Sequence, residues 1–134
     1  MTVTSDELIK FAARYAKAWC SQNPESVAAF FAERGSISIN NGPPAVGRAA
    51  VAKEAQAFMT TFPDMIVTFD KLESRGETTA FHWTLTGTNT GPGGTRNKVQ
   101  ISGFELWKID NDGLIGESKG RFNAADYERQ LKGK

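Results

Sequence analysis

The chain has 134 residues, and its 16 basic and 15 acidic side chains leave a formal net charge of +1. That length reads as one domain over residues 1–134, large enough to bury roughly two-thirds of the chain's surface. The balanced charge, with no basic run to neutralise phosphates, excludes nucleic acid as a partner, and no apolar run approaches the ~20 residues that cross a bilayer, which excludes a membrane.

In chain order, Thr4-Ser5-Asp6-Glu7 forms a capping box ahead of a first helix. Leu8, Phe11, Ala12, Tyr15, Ala18 and Trp19 recur at helical spacing, so this helix runs to about Ser21. Asn23-Pro24 starts a second helix, with Asn as cap and Pro at the first helical position. Val27, Phe30 and Phe31 are its stripe and Gly35 its end. Ser36-Ile37-Ser38-Ile39 alternates as a short strand, and Asn40-Asn41-Gly42-Pro43-Pro44 is a loop. A third helix spans Gly47 to about Phe62, with Val51, Ala55, Phe58 and Phe62 on one side. Strands follow over 65–72, 78–86, 97–109 and 114–122. The glycine-rich break at 91–94 joins two of them. It lacks the Lys-Ser/Thr ending of a phosphate loop and reads as a hairpin turn. Residues 123–131 form a last helical turn or two.

Helices first and antiparallel strands after is an α+β pattern: a curved antiparallel sheet wrapped around three N-terminal helices. The strand over 97–109 is bulky on both faces, so it needs cover on both. The helices cover one face, and a homodimer through the open sheet face covers the other, with Phe104 and Leu106 at its centre. Cys20 is the only cysteine. An intrachain disulfide is impossible, and a lone thiol fits a reducing compartment. The start, MTVTSDELIK, is polar and acidic where a signal peptide is basic and then apolar. A cytoplasmic protein is expected.

Val99, Ile101, Gly103, Glu105, Trp107 and Ile109 share one strand face because strand side chains alternate. Glu105 is the single charge there. It is either a structural group, paired with an Arg or Lys across the sheet or pushed outward by a bulge at Gly103, or a carboxyl held inside a pocket. Burial raises such a carboxyl's pKa and makes it a proton donor. Tyr15 lies on the core stripe of helix one, where a hydroxyl needs a polar partner. His82 is the only histidine. It shares a polar strand face with Thr84 and Thr86, opposite Phe81, Trp83 and Leu85, and is the candidate base by its near-neutral pKa. One His and one Cys give no ligand set for zinc, and no metal or other cofactor is expected. Gly116, Ser118 and Gly120 share a face and either pack closely or leave ligand volume. Trp19, Trp83, Trp107, Asn40 and Asn123 complete the candidate ligand-contacting set.

The phrases Phe62-Pro63-Asp64, Trp83-Thr84-Leu85-Thr86-Gly87-Thr88-Asn89-Thr90-Gly91 and Asp112-Gly113-Leu114-Ile115 resemble the SnoaL-like polyketide cyclases. That family lies in the nuclear transport factor 2-like superfamily, with ketosteroid isomerase and limonene epoxide hydrolase. The resemblance runs from about Leu8 to Leu131. It implies a cone with a pocket at its mouth and a small hydrophobic ligand. It also implies pocket roles for Glu105, at the place of the isomerase's protonated Asp, and for Tyr15, at the place of its oxyanion Tyr. The isomerase's catalytic carboxylate falls on Ile39, or on Asn40 after a one-residue slip, and neither takes a proton at neutral pH. The cyclases' acid/base Asp falls on Asn123, and their His on Asn89. Two functions follow. One is a cofactor-free isomerase, cyclase or epoxide hydrolase on a hydrophobic carbonyl compound. The other is a non-catalytic ligand-binding or dimerisation module that has lost the acid/base residues.

Overall fold

A computed structural model describes residues 5–133. Helix α1, Ser5–Cys20, buries Phe11, Ala12, Tyr15, Ala16, Ala18 and Trp19 along one side, as its apolar spacing predicts. The capping box begins on Thr4, which lies outside the described residues. Helix α2 is Pro24–Ala28, and the Asn23 side chain accepts from the Glu25 N–H as cap. It stops well short of Gly35. The chain instead enters strand β1, Phe31–Ile39, whose pairing shifts register between Phe31 and Ser36. Burying both Phe31 and Ala32 costs the strand a bulge, and Gly35 sits within it rather than at a helix end. Asn40 and Asn41, at φ 50° and 65°, turn the chain back, and directly after the expected loop comes a two-residue strand that sequence reading did not assign, β2, Ala45–Val46.

Helix α3 is Arg48–Thr61, buried through Val51, Ala52, Ala55 and Met59. Four long strands follow: β3 Ile66–Arg75, β4 Thr78–Thr88, β5 Lys98–Ile109 and β6 Ile115–Phe122. Helix α4, Ala124–Lys132, closes the described chain. The six strands form one curved, open sheet in the order β2-β1-β6-β5-β4-β3. Every pairing is antiparallel except β1 with β6, which is parallel. The four long strands are antiparallel, as expected from sequence, and the parallel pairing of β1 with β6 adds to them a contact that the sequence reading did not foresee. Hairpin reasoning reaches neighbours along the chain and misses a pairing between the first long strand and the last.

The core lies between helices α1–α3 and one sheet face. It is aromatic: Tyr15 makes ring contacts with Trp19, Phe30, Phe31, Phe81 and Trp107. The far face is polar around its centre. Thr84 bonds Asp70 and Ser102, and the Arg75 guanidinium lies 5.4 Å over the half-buried Phe104 ring. On α4, the Gln130 amide bonds both the N–H and the C=O of Gln100, satisfying β5 beyond the end of β6. No helix among the described residues is long and apolar enough to cross a membrane.

Candidate functional site

Strand β5 pairs with β4 without a bulge, Phe81 opposite Glu105 and Trp83 opposite Gly103. Glu105 therefore points inward with Phe81, Trp83 and Trp107, and is 6% exposed. The bulge that would turn Glu105 outward is absent. A Cβ on residue 103 would lie 2.2 Å from the Arg121 carbonyl oxygen and 2.8 Å from Trp83 Cζ2. Glycine is required there so that the Trp83 indole can lie against the sheet.

Three donors converge on a single oxygen of Glu105. The Tyr15 hydroxyl donates to Oε1 at 2.9 Å, the Ser118 hydroxyl at 2.7 Å and the Trp107 indole N–H at 3.1 Å. Each comes from a different place: helix α1, strand β6 and β5 itself two residues on. Oε2 has no hydrogen bond among the described residues. Burial pushes the Glu105 pKa up, and the bonds from Ser118, Trp107 and Tyr15 oppose that in part. Burial also holds the Tyr15 phenol well above its ordinary pKa, helped by the Glu105 charge, so Tyr15 is a neutral donor. Because Oε1 accepts all three bonds, the proton of a neutral Glu105 belongs on Oε2.

Glu105 lines a half-open cavity of about 50 Å3 with Trp19, Ile37, Ile39, Phe58, Val67, Trp83, Leu85, Ile101, Gly120 and Phe122. At ~10–15 Å3 per water that is room for roughly four waters, or a very small molecule. Gly120 stands directly across from Glu105 on β6, and a Cβ there would meet only ordinary contacts, 3.4 Å from the Ser38 oxygen and 3.9 Å from Glu105 Cγ. The missing side chain leaves cavity volume. Gly116 instead packs beside the Asp110 carboxylate. A larger, shallower groove of about 340 Å3 runs over Ile66, Thr86, Lys98 and Gln100, but its carboxylate, Asp64, is already bonded to the Thr88 N–H and hydroxyl.

Glu105, Tyr15, Trp107, Trp19 and Trp83 are thus brought together. Trp107 is fully buried behind the cavity, bonded to Glu105 and stacked on Phe81. Three candidates are not brought there. His82 pairs opposite Phe104 and faces the other side of the sheet, its Nε2 2.5 Å from Glu73 Oε1, so strand parity keeps it from Glu105. Asn123 caps α4 by accepting from the Asp126 N–H. Asn40 accepts from the Phe122 N–H and ties the end of β1 to β6. Asn89 braces its own loop by donating to Thr95. Ile39 lines the cavity with an apolar side chain. Ser118 is the donor that sequence reading did not single out, although its face with Gly120 was visible.

A family model described as SnoaL-like polyketide cyclase matches residues 9–131. No curated protein matches the chain. Among solved structures, a SnoaL-like polyketide cyclase candidate from Jannaschia sp. CCS1 is similar at 13% identity, covering 100% of this chain and 99% of that one, with a TM-score of 0.83. TsrD from Streptomyces laurentii is similar at 16% identity over 97% and 98% of the two chains, with a TM-score of 0.82. A hypothetical protein with a ketosteroid isomerase-like fold from Catenulispora acidiphila, solved with trimethylamine, is similar at 17% identity over 96% and 94%, with a TM-score of 0.79. At such identities these likenesses establish the fold.

Proposed function

We propose that this chain, which belongs to the SnoaL-like polyketide cyclase family, binds a small apolar compound through a carbonyl-type oxygen that accepts a hydrogen bond from Glu105. The observation that carries this reading is the asymmetry of the carboxyl. Oε1 takes three donors, which leaves Oε2 to carry the proton of the neutral acid in an otherwise apolar cavity. A neutral carboxylic acid in such a setting donates strongly to an oxygen. Binding is favoured over acid/base turnover because Glu105 is the one ionisable side chain among the cavity's lining residues. Shuttling a proton between separate acid and base groups needs a second.

Titration with acetone, followed by protein NMR, tests the reading. Acetone binds at low pH, weakens as pH rises through the raised Glu105 pKa, and loses affinity in Glu105→Ala. Glu105→Gln, whose amide N–H replaces the Oε2 proton, retains affinity without the pH dependence. Binding that strengthens with pH in the native chain refutes the donor role. The free Oε2 favours one second reading. In ionised form it takes a proton from a carbon acid and returns it to another carbon of the same ligand, an isomerisation that needs no further group. Catalysed exchange of acetone's methyl hydrogens for deuterium, abolished in Glu105→Gln, would support it.

The homodimer through the open sheet face belongs to the same proposal. Phe104 and Leu106 are half-buried on that face, and a second copy would complete their cover. Sedimentation as a monomer at micromolar concentration refutes it. A reducing, cytoplasmic setting fits Cys20, whose thiol is engaged with the Ala16 and Val67 backbone rather than with another cysteine.

A further inference from the structure

The Glu105 carboxyl stands between two settings. Oε1 is turned to Tyr15, Ser118 and Trp107, none of which lines the cavity. Among the described residues, the buried side-chain polar atoms that are both unpaired and sealed from open space are the indole nitrogens of Trp19 and Trp83. Oε2 is also unpaired but is not one of them, so it keeps accessible surface. Glu105 is more than nine-tenths buried and lines the cavity, so that surface belongs to the cavity. A buried, unpartnered oxygen opens on a half-open space that is otherwise apolar.

The carboxyl also lacks a counter-charge. The groups that face it are Tyr15 from α1, Phe81 from β4, Ser118 and Gly120 from β6, and Trp107 on its own strand. Of these only Tyr15 titrates, and burial holds it neutral. The other lining residues, from α1, α3, β1 and β3–β6, are all aliphatic, aromatic or glycine. No Lys, Arg or His acts on the carboxyl, which feels only burial and its three neutral donors. Ionised, it is a buried anion without a cation, and such a charge is costly. A cationic ligand removes that cost.

The wall decides which cation. A metal ion takes several oxygen or nitrogen ligands, and no cluster of His, Cys, Asp and Glu among the described residues supplies them. Ammonium or a primary amine brings several N–H donors to one free oxygen, and the surplus donors would stand unpaired in an apolar space. A tertiary ammonium has a single N–H to match the single oxygen. Its methyl groups share the positive charge and pack well on aromatic side chains, of which Trp19, Phe58, Trp83 and Phe122 stand in the wall. Trimethylammonium has as many heavy atoms as acetone, so it fits the same cavity of about 50 Å3.

We infer that ionised Glu105 binds a small methylated ammonium ion, with the N–H on Oε2 and the methyl groups against the aromatic wall. This goes beyond the carbonyl reading. It uses the other protonation state of the same oxygen, so pH separates the two.

Trimethylammonium chloride, acetone and ammonium chloride are titrated separately into 15N-labelled protein from acid to mildly alkaline pH, with affinity read from amide shifts. Trimethylammonium stays charged throughout, as alkylamines do. Its affinity should rise by up to about tenfold per pH unit and level once Glu105 is ionised in the free protein, while acetone affinity falls. At the alkaline end ammonium should bind at least about tenfold more weakly, since it brings no methyl groups to the wall. Glu105→Gln should lose at least about 30-fold in trimethylammonium affinity there, the scale of removing one partner of a buried charge pair. In the native chain, a carboxyl NMR titration should find a lower Glu105 pKa with trimethylammonium present. Should the variant fail to fold, that titration and the native pH profile decide. The inference is overturned if trimethylammonium affinity is flat or falls with pH, if ammonium binds as tightly, if Glu105→Gln binds as the native chain does, or if the Glu105 pKa does not move. Trimethylammonium binding as described, with no acetone binding at any pH, upholds this inference and sinks the carbonyl reading. The reverse pattern sinks this one alone.

Discussion

Replacing Glu105 by Gln should stabilise the protein increasingly as pH rises. The side chain is buried, 6% exposed, and burial raises its pKa above the ordinary value of 4.5. Below about pH 4.5 the group is neutral in both the folded and the unfolded chain, and the native protein carries no penalty there. Above it the unfolded carboxyl gives up its proton while the folded one keeps it. The unfolded state then binds fewer protons, so stability falls as pH increases, by about 1.4 kcal/mol per pH unit until the folded pKa is passed. Gln does not titrate. Its carbonyl oxygen can still accept from Tyr15, Ser118 and Trp107, so packing and the three bonds are retained. Urea denaturation of both chains, from acid through neutral pH, gives the difference directly. A gap that opens from about pH 4.5 upward with that slope and then levels is the expected outcome. Parallel curves would mean that the carboxyl ionises as freely in the fold as in water, and the buried-donor argument would fall with them.

Tyr15→Phe keeps the ring contacts and removes one of the donors on Glu105 Oε1. Thermal unfolding should show a loss of about 1–1.5 kcal/mol, and a carboxyl NMR titration should find the Glu105 pKa higher still, because the lost bond favoured the anion. Gly103→Ala should cost about 1–3 kcal/mol by forcing its new methyl against the Arg121 carbonyl and Trp83. Gly120→Ala should leave stability within about 0.5 kcal/mol yet weaken acetone binding, since its methyl meets only ordinary contacts and takes cavity space. An equal loss of stability in both glycine variants would contradict the packing described here. Leu106→Arg should shift a sedimenting dimer to monomer by placing charge in the joined faces, and an unchanged sedimentation coefficient would move the interface elsewhere.

Much of this was legible in the chain. Helical spacing put Tyr15 and Trp19 on a buried side of α1, and strand alternation set Glu105 with Trp107 and Trp83 with Phe81. Both rules depend on residues a few positions apart, so a sequence carries them whole. What no local rule supplies is which faces meet. Whether His82 or Phe81 shares the side of Glu105 is decided by pairing 81 with 105, and a slip of one residue would have put the histidine in the cavity. Helix α2 gave way to strand at Phe31 because the sheet had a place for that ring beside Ile115. The convergence of Tyr15, Ser118 and Trp107 on one oxygen joins residues 90 and 13 positions from Glu105 with one two away. Sequence named the carboxyl. Tertiary packing chose the oxygen that is held and the oxygen that is left unbonded, because hydrogen-bond geometry acts across space and the chain's order does not encode those distances.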